Sequence, residues 1–267
     1  MAKVLNPADT IGKWEHVSAS QLTTLFFCEQ KYAFRYGMRL PDPKTGSLAL
    51  GTAVDEAAQA HNREKMETHQ NKPLAHVQEI AVAKLEAQKD DTKWDPADPF
   101  NEIKDEIPGI VKVLWDGSLS QVQPVAVQEE VRVEFDNWHL LGYLDVRGDD
   151  GVVRDYKTAK RSWADGKETT EVQPVIYTMH AAGASTFRWD IAVRNKTPKL
   201  QQVSRVVTPV AKEGMKRLAA KTKTRADQLR LDPELALPTG YGGWLCSKKL
   251  CPFWGACEKR WGQPIKD

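Results

Sequence analysis

Two aspartates and a lysine are spaced in the sequence so that they could bind a metal ion. Asp145 is followed, after nine residues, by Asp155 and then Lys157. Residues two apart on a β-strand project to the same face, so Asp155 and Lys157 are expected side by side. Two nearby carboxylates repel each other unless a cation separates them, and Mg²⁺ or Mn²⁺ prefers such oxygen ligands. A bound ion could polarise a phosphodiester and activate a water that Lys157 positions.

The element that must position these residues is predicted to be a β-hairpin. Strands are predicted at 139–146 and 152–156, with the turn-rich segment 148–151 between them. Asp145 would then lie beside Arg154 or Asp155. A surface hairpin with ordinary charges is the alternative. The flanking residues are largely apolar, however, which indicates buried strands. Charged residues such as Asp and Lys are rarely found in buried strands unless they are paired or functional.

A second polar pair follows the hairpin. Gln173 and Tyr177 are four residues apart in a helix predicted at 170–184, so they share one helix face. Pro174 fits this helix only in its first turn. An amide and a phenol in these places could contact a phosphate or orient the lysine. The more common explanation of such a pair is an ordinary helix with one polar and one amphipathic residue.

The order of the predicted elements indicates a mixed α/β domain. An irregular lead-in is predicted for residues 1–17. Residues 18–120 are predicted to be mainly helical, with an aromatic-rich helix that begins at a capping box formed by Ser18 and Gln21, and a second helix from Gly51 to about Met66. Residues 121–210 contain the strands, including an alternating pattern from Val125 to Phe135 and two later strands at 187–193 and 202–210. A basic segment at 211–237, with a helix at 211–231, precedes an irregular, Cys-rich tail at 238–267.

Composition and charge fit a soluble protein without deciding its partner. Charged residues make up 28% of the chain and hydrophobic residues 41%, which is ordinary for a globular protein. The sequence has no run of about 18 apolar residues and no secretory signal, so we expect a cytoplasmic protein that does not enter a membrane. The net charge of +2 neither requires nor excludes nucleic acid. The basic helix could follow a phosphate backbone, or it could simply be a solvated helix face.

Four cysteines are separated into one early residue and three late ones: Cys28, Cys246, Cys251 and Cys257. In a reducing cytosol they are not expected to form structural disulfides. Four thiolates can hold either zinc or an iron–sulfur cluster, and such a centre would tie the first helix to the tail. Free thiols are the alternative, and the spacing alone does not separate these cases.

Taken in order, these motifs resemble the PD-(D/E)xK nuclease superfamily, specifically its RecB-like branch, which includes CRISPR-adaptation and phage exonucleases. The matching segments extend over nearly the whole chain. They are Ser18–Leu22 with Cys28 and Tyr36, Gly51–Asp55, Gly142–Asp145, Asp155–Thr158, Gln173–Tyr177 and the three late cysteines.

The resemblance implies a restriction-endonuclease-like core, with a central mixed sheet flanked by helices, in a single domain over residues 1–267. It implies that Asp145 and Asp155 bind the catalytic ion, Mg²⁺ or Mn²⁺, and that Lys157 positions the water. Gln173 and Tyr177 would support the phosphate or the lysine. Asp55 replaces the family's histidine and is expected as the third ligand, with Glu56 as the neighbouring alternative.

The resemblance also implies a [4Fe–4S] cluster held by the four cysteines, with zinc as the alternative. The expected activity is an exonuclease that hydrolyses phosphodiester bonds at DNA ends or in single-stranded DNA. Recombination, repair or phage DNA processing is the expected setting, with recombination, CRISPR or phage proteins as partners. The competing hypothesis is a non-catalytic nucleic-acid-binding module on the same fold. Such a module would be marked by loss of Asp145, Asp155 or Lys157, and all three are present.

Overall fold

The computed structural model describes residues 15–181, 183–239, 243 and 245–262. Its strands are β1 (His16–Ser18), β2 (Lys44–Thr45), β3 (Thr92–Lys93), β4 (Pro124–Glu134), β5 (His139–Gly148), β6 (Val153–Ala159), β7 (Thr186–Val193) and β8 (Lys199–Val206). Its helices are α1 (Ala19–Phe27), α2 (Glu29–Tyr32), α3 (Gly46–Thr68), α4 (Leu74–Glu86), α5 (Phe100–Leu114), α6 (Lys167–Thr170), α7 (Gln173–His180), α8 (Pro209–Leu231) and α9 (Trp254–Trp261). The π-helical segments Ala33–Gly37 and Trp115–Leu119 follow α2 and α5, and a 3₁₀ turn, Pro233–Leu235, follows α8.

The chain divides into two compact units. We call them the sheet unit, residues 44–131 and 142–211, and the tail unit, the described residues of 15–43, 132–141 and 212–262. The prediction of a single domain over residues 1–267 stays a prediction. The irregular lead-in predicted for residues 1–17 lies outside the described residues except at its end, where β1 begins.

The sheet unit contains strands in the order β5-β6-β7-β8, and β4 also pairs with β5. β5 and β6 are antiparallel, β6 and β7 are parallel, and β7 and β8 are antiparallel, so the sheet is mixed as predicted. Val146 pairs with Arg154 in the β5–β6 hairpin. One further step of this register places Asp145 opposite Asp155, within the range that the sequence indicated.

Helices α3 and α5 cover one face of this sheet, and α4 packs against these two helices. Alanines at helical spacing along α3 pack in a buried cluster with Val146, Tyr156 and Ala192 of the sheet. Their small side chains let α3 lie close to β6, and this brings the polar face of α3 to the ends of the strands. The opposite face is covered by α7, since Tyr177 contacts the ring of Phe187 at a centroid distance of 6.1 Å and Phe187 alternates with the face that carries Ala192.

Several predicted boundaries differ from the structure. The second helix begins at Gly46 rather than Gly51, because Thr45 caps it by accepting the N–H of Leu48. The helix predicted at 170–184 is α6 followed by a separate α7, with Pro174 in the first turn of α7 as expected. The strand predicted at 202–210 is wrong in its bounds, because β8 ends at Val206 and Pro209 already begins α8.

The alternating pattern in β4 is interrupted in its middle. Val131 and Val133 are buried as predicted, but Val125 is exposed. The interruption lies at Gln128, which has a left-handed backbone with φ of +51°. Such a conformation is rare for a residue with a side chain, so β4 cannot keep one alternation of faces along its whole length.

In the tail unit, Ser18 caps α1 as predicted: its hydroxyl accepts the N–H of Gln21, whose side chain accepts the N–H of Ser18. The aromatic helix expected to follow is broken at Cys28, where the backbone is extended. The break frees the first amides of α2, and the N–H of Gln30 donates to the carbonyl of Leu237 at 3.0 Å. The C-terminal segment is thereby anchored next to Cys28.

The positive charge of the basic helix α8 is partly compensated by acidic side chains of the same unit. Arg225 pairs with Glu29, and two further cations of this helix pair with acids one turn away. The tail was predicted to be irregular, but it contains a helix, α9. None of the helices in the described part of the chain is long and apolar enough to cross a membrane.

Candidate active site

Asp145, at the C-terminal part of β5, is held by two donors. Its Oδ2 accepts the backbone N–H of Tyr156 at 2.9 Å, and its Oδ1 accepts Nε2 of Gln128 at 3.3 Å. The regular pairing of β5 with β6 ends at Val146 and Arg154, so this carboxylate accepts an amide of β6 beyond the regular ladder. The side chain of Asp145 is therefore fixed in the space between the two strands.

Asp155 and Lys157 project from the same face of β6, as their spacing predicted. Nζ of Lys157 lies 2.6 Å from Oδ2 of the buried Asp155, and Oδ1 of Asp155 accepts Nε2 of Gln173 at 2.8 Å. Burial opposes the charged form of Lys157, but Asp155 and Asp145 outweigh it and raise the pKa of the ammonium above its usual value. Lys157 therefore remains a cation and a hydrogen-bond donor at neutral pH.

Asp55 reaches the same place from α3. Its Oδ2 accepts Nε2 of Gln59 at 2.8 Å, whereas its Oδ1 is buried and has no hydrogen-bond partner among the described residues. The neighbouring Glu56 pairs instead with Lys84 of α4 at 2.8 Å. The structure thus brings Asp55, and not Glu56, to the other two aspartates.

Asp55, Asp145 and Lys157 line a cleft of about 300 Å³, and Asp155 lies buried beside Lys157. Burial raises the pKa of Asp145 well above its usual value, and the nearby carboxylates of Asp155 and Asp55 raise it further. Burial likewise raises the pKa of Asp55, with Asp155 adding to the effect. The remaining wall of the cleft comes from the first turns of α3 and from the residues around Lys157, namely Ser47, Leu48, Gly51, Thr52, Tyr156 and Thr158.

The residues of the cleft suit a divalent cation. Three carboxylates supply hard oxygen ligands, and the unpartnered Oδ1 of Asp55 is a buried acceptor that a cation would satisfy. A cation would also remove the repulsion that raises the pKa of Asp145. Within the ranges that the structure describes, however, no three His, Cys, Asp or Glu side chains stand ready to hold an ion. The ligands would have to draw together on binding.

Gln173 and Tyr177 lie where the sequence placed them, on one face of α7. Tyr177 is buried, and burial raises the pKa of its hydroxyl. Gly142 of β5 makes room for this ring: a Cβ at Gly142 would lie 2.8 Å from Cε1 of Tyr177. The glycine before Asp145 thus connects two of the predicted motifs through a direct packing contact.

Two residues that contact the aspartates were missed by sequence analysis. Gln59 lies one helical turn after Asp55, so an i,i+4 search from the aspartate could have found it. Gln128 gave no such signal, because its contact with Asp145 depends on the left-handed backbone in β4.

The four cysteines line a single pocket of the tail unit, of about 20 Å³, and none is in a disulfide. Cys28 is buried and the three late cysteines are half-buried. Burial, reinforced by the other three sulfurs, raises the pKa of Cys257 to about 11. Burial also raises the pKa of Cys251. The structure therefore brings together thiols that are more than 200 residues apart in the sequence, in a pocket otherwise lined mainly by apolar side chains.

Comparison with known proteins gives the family. A model of the PD-(D/E)XK nuclease superfamily matches residues 16–258. A crystal structure described as a "Putative exonuclease" from Eubacterium rectale is similar, with a TM-score of 0.57 and 12% identity, over 86% of this chain and 87% of that chain. The crystal structure of SSO0001 has a TM-score of 0.37 and 13% identity, over 86% of this chain and 93% of that chain. No curated protein matches the sequence.

The family match covers most of the chain and includes both the carboxylate cleft and the four cysteines. The mixed sheet flanked by helices is the restriction-endonuclease-like fold that the sequence predicted. The chain therefore belongs to the PD-(D/E)XK nuclease superfamily.

Proposed function

We propose that the chain is a metal-dependent deoxyribonuclease that hydrolyses phosphodiester bonds at DNA ends. The observation that carries this proposal is that Asp55, Asp145 and Lys157 line one cleft, with the buried Asp155 next to Asp145 and Lys157, in a member of a nuclease superfamily. The three aspartates would hold Mg²⁺ or Mn²⁺. When bound, such an ion polarises the phosphodiester and lowers the pKa of a coordinated water.

The side chains of the cleft have distinct parts in this reaction. Lys157, which stays protonated, donates to the attacking water or to a phosphate oxygen and offsets the negative charge that develops at phosphorus. Gln173 restrains Asp155 by donating to its Oδ1. Tyr177, whose raised pKa keeps its hydroxyl neutral, remains a potential donor to the substrate. The bond from the water oxygen to phosphorus forms as the bond to the leaving oxygen breaks; the attacking water gives up a proton to solvent, and solvent protonates the leaving oxygen.

Action on DNA ends is supported by the size of the cleft and by the structural neighbour. A cleft of about 300 Å³ is at the small end of ligand pockets and suits one nucleotide of a single strand. The similar structure from Eubacterium rectale is described as that of an exonuclease. Recombination, repair or phage DNA processing in the cytoplasm is the setting that such an activity suits.

The test compares linear and circular single-stranded DNA of equal length with Mg²⁺ or Mn²⁺. We expect progressive shortening of the labelled linear strand and no cleavage of the circle. Cleavage of the circle would show that free ends are not needed. Undiminished cleavage in excess EDTA would contradict the metal-dependent reaction, and absence of cleavage under all conditions would favour a binding module.

A pair of adjacent substitutions tests the third ligand. Asp55→Ala should lower the rate of cleavage and weaken Mn²⁺ binding, because Asp55 lines the cleft. Glu56→Ala is the matched control, since Glu56 pairs with Lys84, and it should retain the wild-type rate. Equal loss in the two variants would contradict the assignment of Asp55.

We further propose that the cysteine pocket holds a structural [4Fe–4S] cluster, with zinc as the alternative. Support comes from four cysteines, none of them in a disulfide, that line one pocket at the junction of the α1–α2 break and the tail. Thiolates are ligands of both centres. Iron and acid-labile sulfide should be measured in protein purified without oxygen. One zinc per chain would reject the cluster, and absence of both metals would reject the centre.

A further inference from the structure

Each of the three aspartates at the cleft accepts a hydrogen bond from a glutamine amide. Gln59 donates to Asp55 at 2.8 Å, Gln128 donates to Asp145 at 3.3 Å, and Gln173 donates to Asp155 at 2.8 Å. The three glutamines come from α3, β4 and α7 respectively. Three different elements thus present the same neutral donor to the same kind of acceptor.

The amide of Gln59 has a defined orientation. Its Oε1 accepts from the guanidinium of Arg63 at 3.3 Å. Because a guanidinium only donates, the oxygen of the amide must face Arg63 and its NH₂ group must face Asp55. Gln59 therefore acts as a donor towards Oδ2 of Asp55, and the unpartnered Oδ1 is left for another ligand.

Gln128 reaches Asp145 because the backbone of β4 is left-handed at this residue. Three consecutive residues, Gln128, Glu129 and Glu130, bond respectively to Asp145, Arg147 and Tyr143. The three partners alternate along β5 and therefore share one face, whereas consecutive residues of a regular strand point to opposite faces. The φ of +51° at Gln128 breaks that alternation.

A left-handed backbone costs free energy for a residue with a side chain. A glycine or asparagine at this position would adopt it more easily. The residue present is instead a glutamine whose amide reaches a carboxylate of the cleft. The strained conformation is explained if the position of this amide matters to the site.

We propose that Gln59 and Gln128 are positioning residues of the metal site, which orient Asp55 and Asp145 for a shared divalent cation. This inference rests on the metal-dependent function proposed above. A neutral amide stabilises an ionised carboxylate without adding a positive charge that would repel the ion. Donors to ligating side chains fix their orientation, and losing one typically weakens metal binding about 10- to 100-fold.

The test measures Mn²⁺ affinity by titration calorimetry, together with thermal stability in EDTA. Gln59→Met and Gln128→Met keep the side-chain length but remove the donor, and each should weaken Mn²⁺ binding about tenfold or more. Gln78→Met is the matched control, because Gln78 donates to a backbone carbonyl of the sheet unit and does not line the cleft. Its Mn²⁺ affinity should equal that of the wild type.

Gln128→Gly separates positioning from a merely structural role. Glycine tolerates the left-handed backbone, so this variant should be at least as stable as the wild type in EDTA and yet bind Mn²⁺ about tenfold more weakly. Wild-type affinity in Gln128→Gly and in both methionine variants would overturn the proposal. Failure of the wild-type protein itself to bind Mn²⁺ would instead overturn the proposed function.

Discussion

The carboxylate cleft of the sheet unit and the cysteine pocket of the tail unit are both candidate metal sites, but they are held in different ways. Every aspartate of the cleft accepts a hydrogen bond from a neighbour on a helix or strand of the same unit. The cysteines come instead from a helix break and from a tail that is only partly helical. The fold itself therefore restrains the aspartates, although they would still have to draw together around an ion, whereas the cysteines lie on segments with less regular support.

In the absence of a metal, the ionisable groups of the two sites also differ in how burial affects their charge. Burial, and then repulsion from Asp155 and Asp55, raise the pKa of Asp145, so an ionised carboxylate there costs stability. Burial raises the pKa of Cys257 to about 11, so this thiol stays neutral at pH 7 and packs like a small apolar side chain. Removing a residue from the cleft should thus affect chemistry, and removing a cysteine should affect folding.

The largest expected effect is the loss of activity in Lys157→Ala. Without the ammonium, charge at phosphorus is uncompensated, and the rate of cleavage should fall at least about 100- to 1,000-fold. Asp155→Ala should be equally inactive. Rates are measured on labelled single-stranded DNA with Mn²⁺, and circular dichroism checks the fold. Lys160→Ala is the matched control, since Lys160 pairs with Asp98. A wild-type rate in Lys157→Ala would contradict the active-site assignment.

The next largest effect is expected in the tail unit, from Cys28→Ser. A centre with four ligands loses its closure when one is removed, and its binding free energy contributes to folding. A loss of about 3 kcal/mol would lower the thermal midpoint by about 6–12 °C. Calorimetry of protein purified without oxygen measures it, and Cys251→Ser should match. A midpoint equal to that of the wild type would remove the contrast between the two sites.

Asp145→Asn should raise the stability of the protein, whereas Cys28→Ser should lower it. The asparagine can still accept the N–H of Tyr156, but it carries no charge next to Asp155 and Asp55. In EDTA the variant should be more stable by about 1 kcal/mol, or about 2–4 °C. The rise in midpoint that Mn²⁺ causes in the wild type should be lost. Asp91→Asn, at an exposed carboxylate, should leave both quantities unchanged. A less stable Asp145→Asn protein in EDTA would argue against repulsion in the cleft.

Much of the cleft could be predicted from the sequence, because its geometry is local. Asp155 and Lys157 follow the two-residue repeat of a strand, and Gln173 and Tyr177 follow the four-residue repeat of a helix. The left-handed residue in β4 could not be predicted: the three polar residues at 128–130 interrupt the apolar alternation, but nothing in them indicates which residue is left-handed. Its conformation is determined by contacts across the sheet.

The tail unit was harder to predict for a related reason. The break at Cys28 is stabilised by bonds from the amides of α2 to the chain about 210 residues later, such as that from Glu29 to Thr239. No local pattern in an aromatic helix indicates such partners. The capping box at Ser18 was predicted correctly, because both of its hydrogen bonds are made within four residues.

The smallest changes in the rate of cleavage are expected from two glycine substitutions, one in each unit. In Gly142→Ala the new Cβ would lie 2.8 Å from Cε1 of Tyr177, so the ring must shift from its place against Phe187. We expect a loss of about 1–2 kcal/mol and a rate lowered a few-fold. Gly214→Ala is the matched control, because its Cβ meets nothing within 4 Å. Alanine favours the interior of α8, so this variant should gain up to about 1 kcal/mol and cleave at the wild-type rate. Chemical denaturation and the cleavage assay measure both changes. A wild-type rate in Gly142→Ala would mean that the position of Tyr177 does not matter for cleavage, since the clash cannot be avoided without moving that ring.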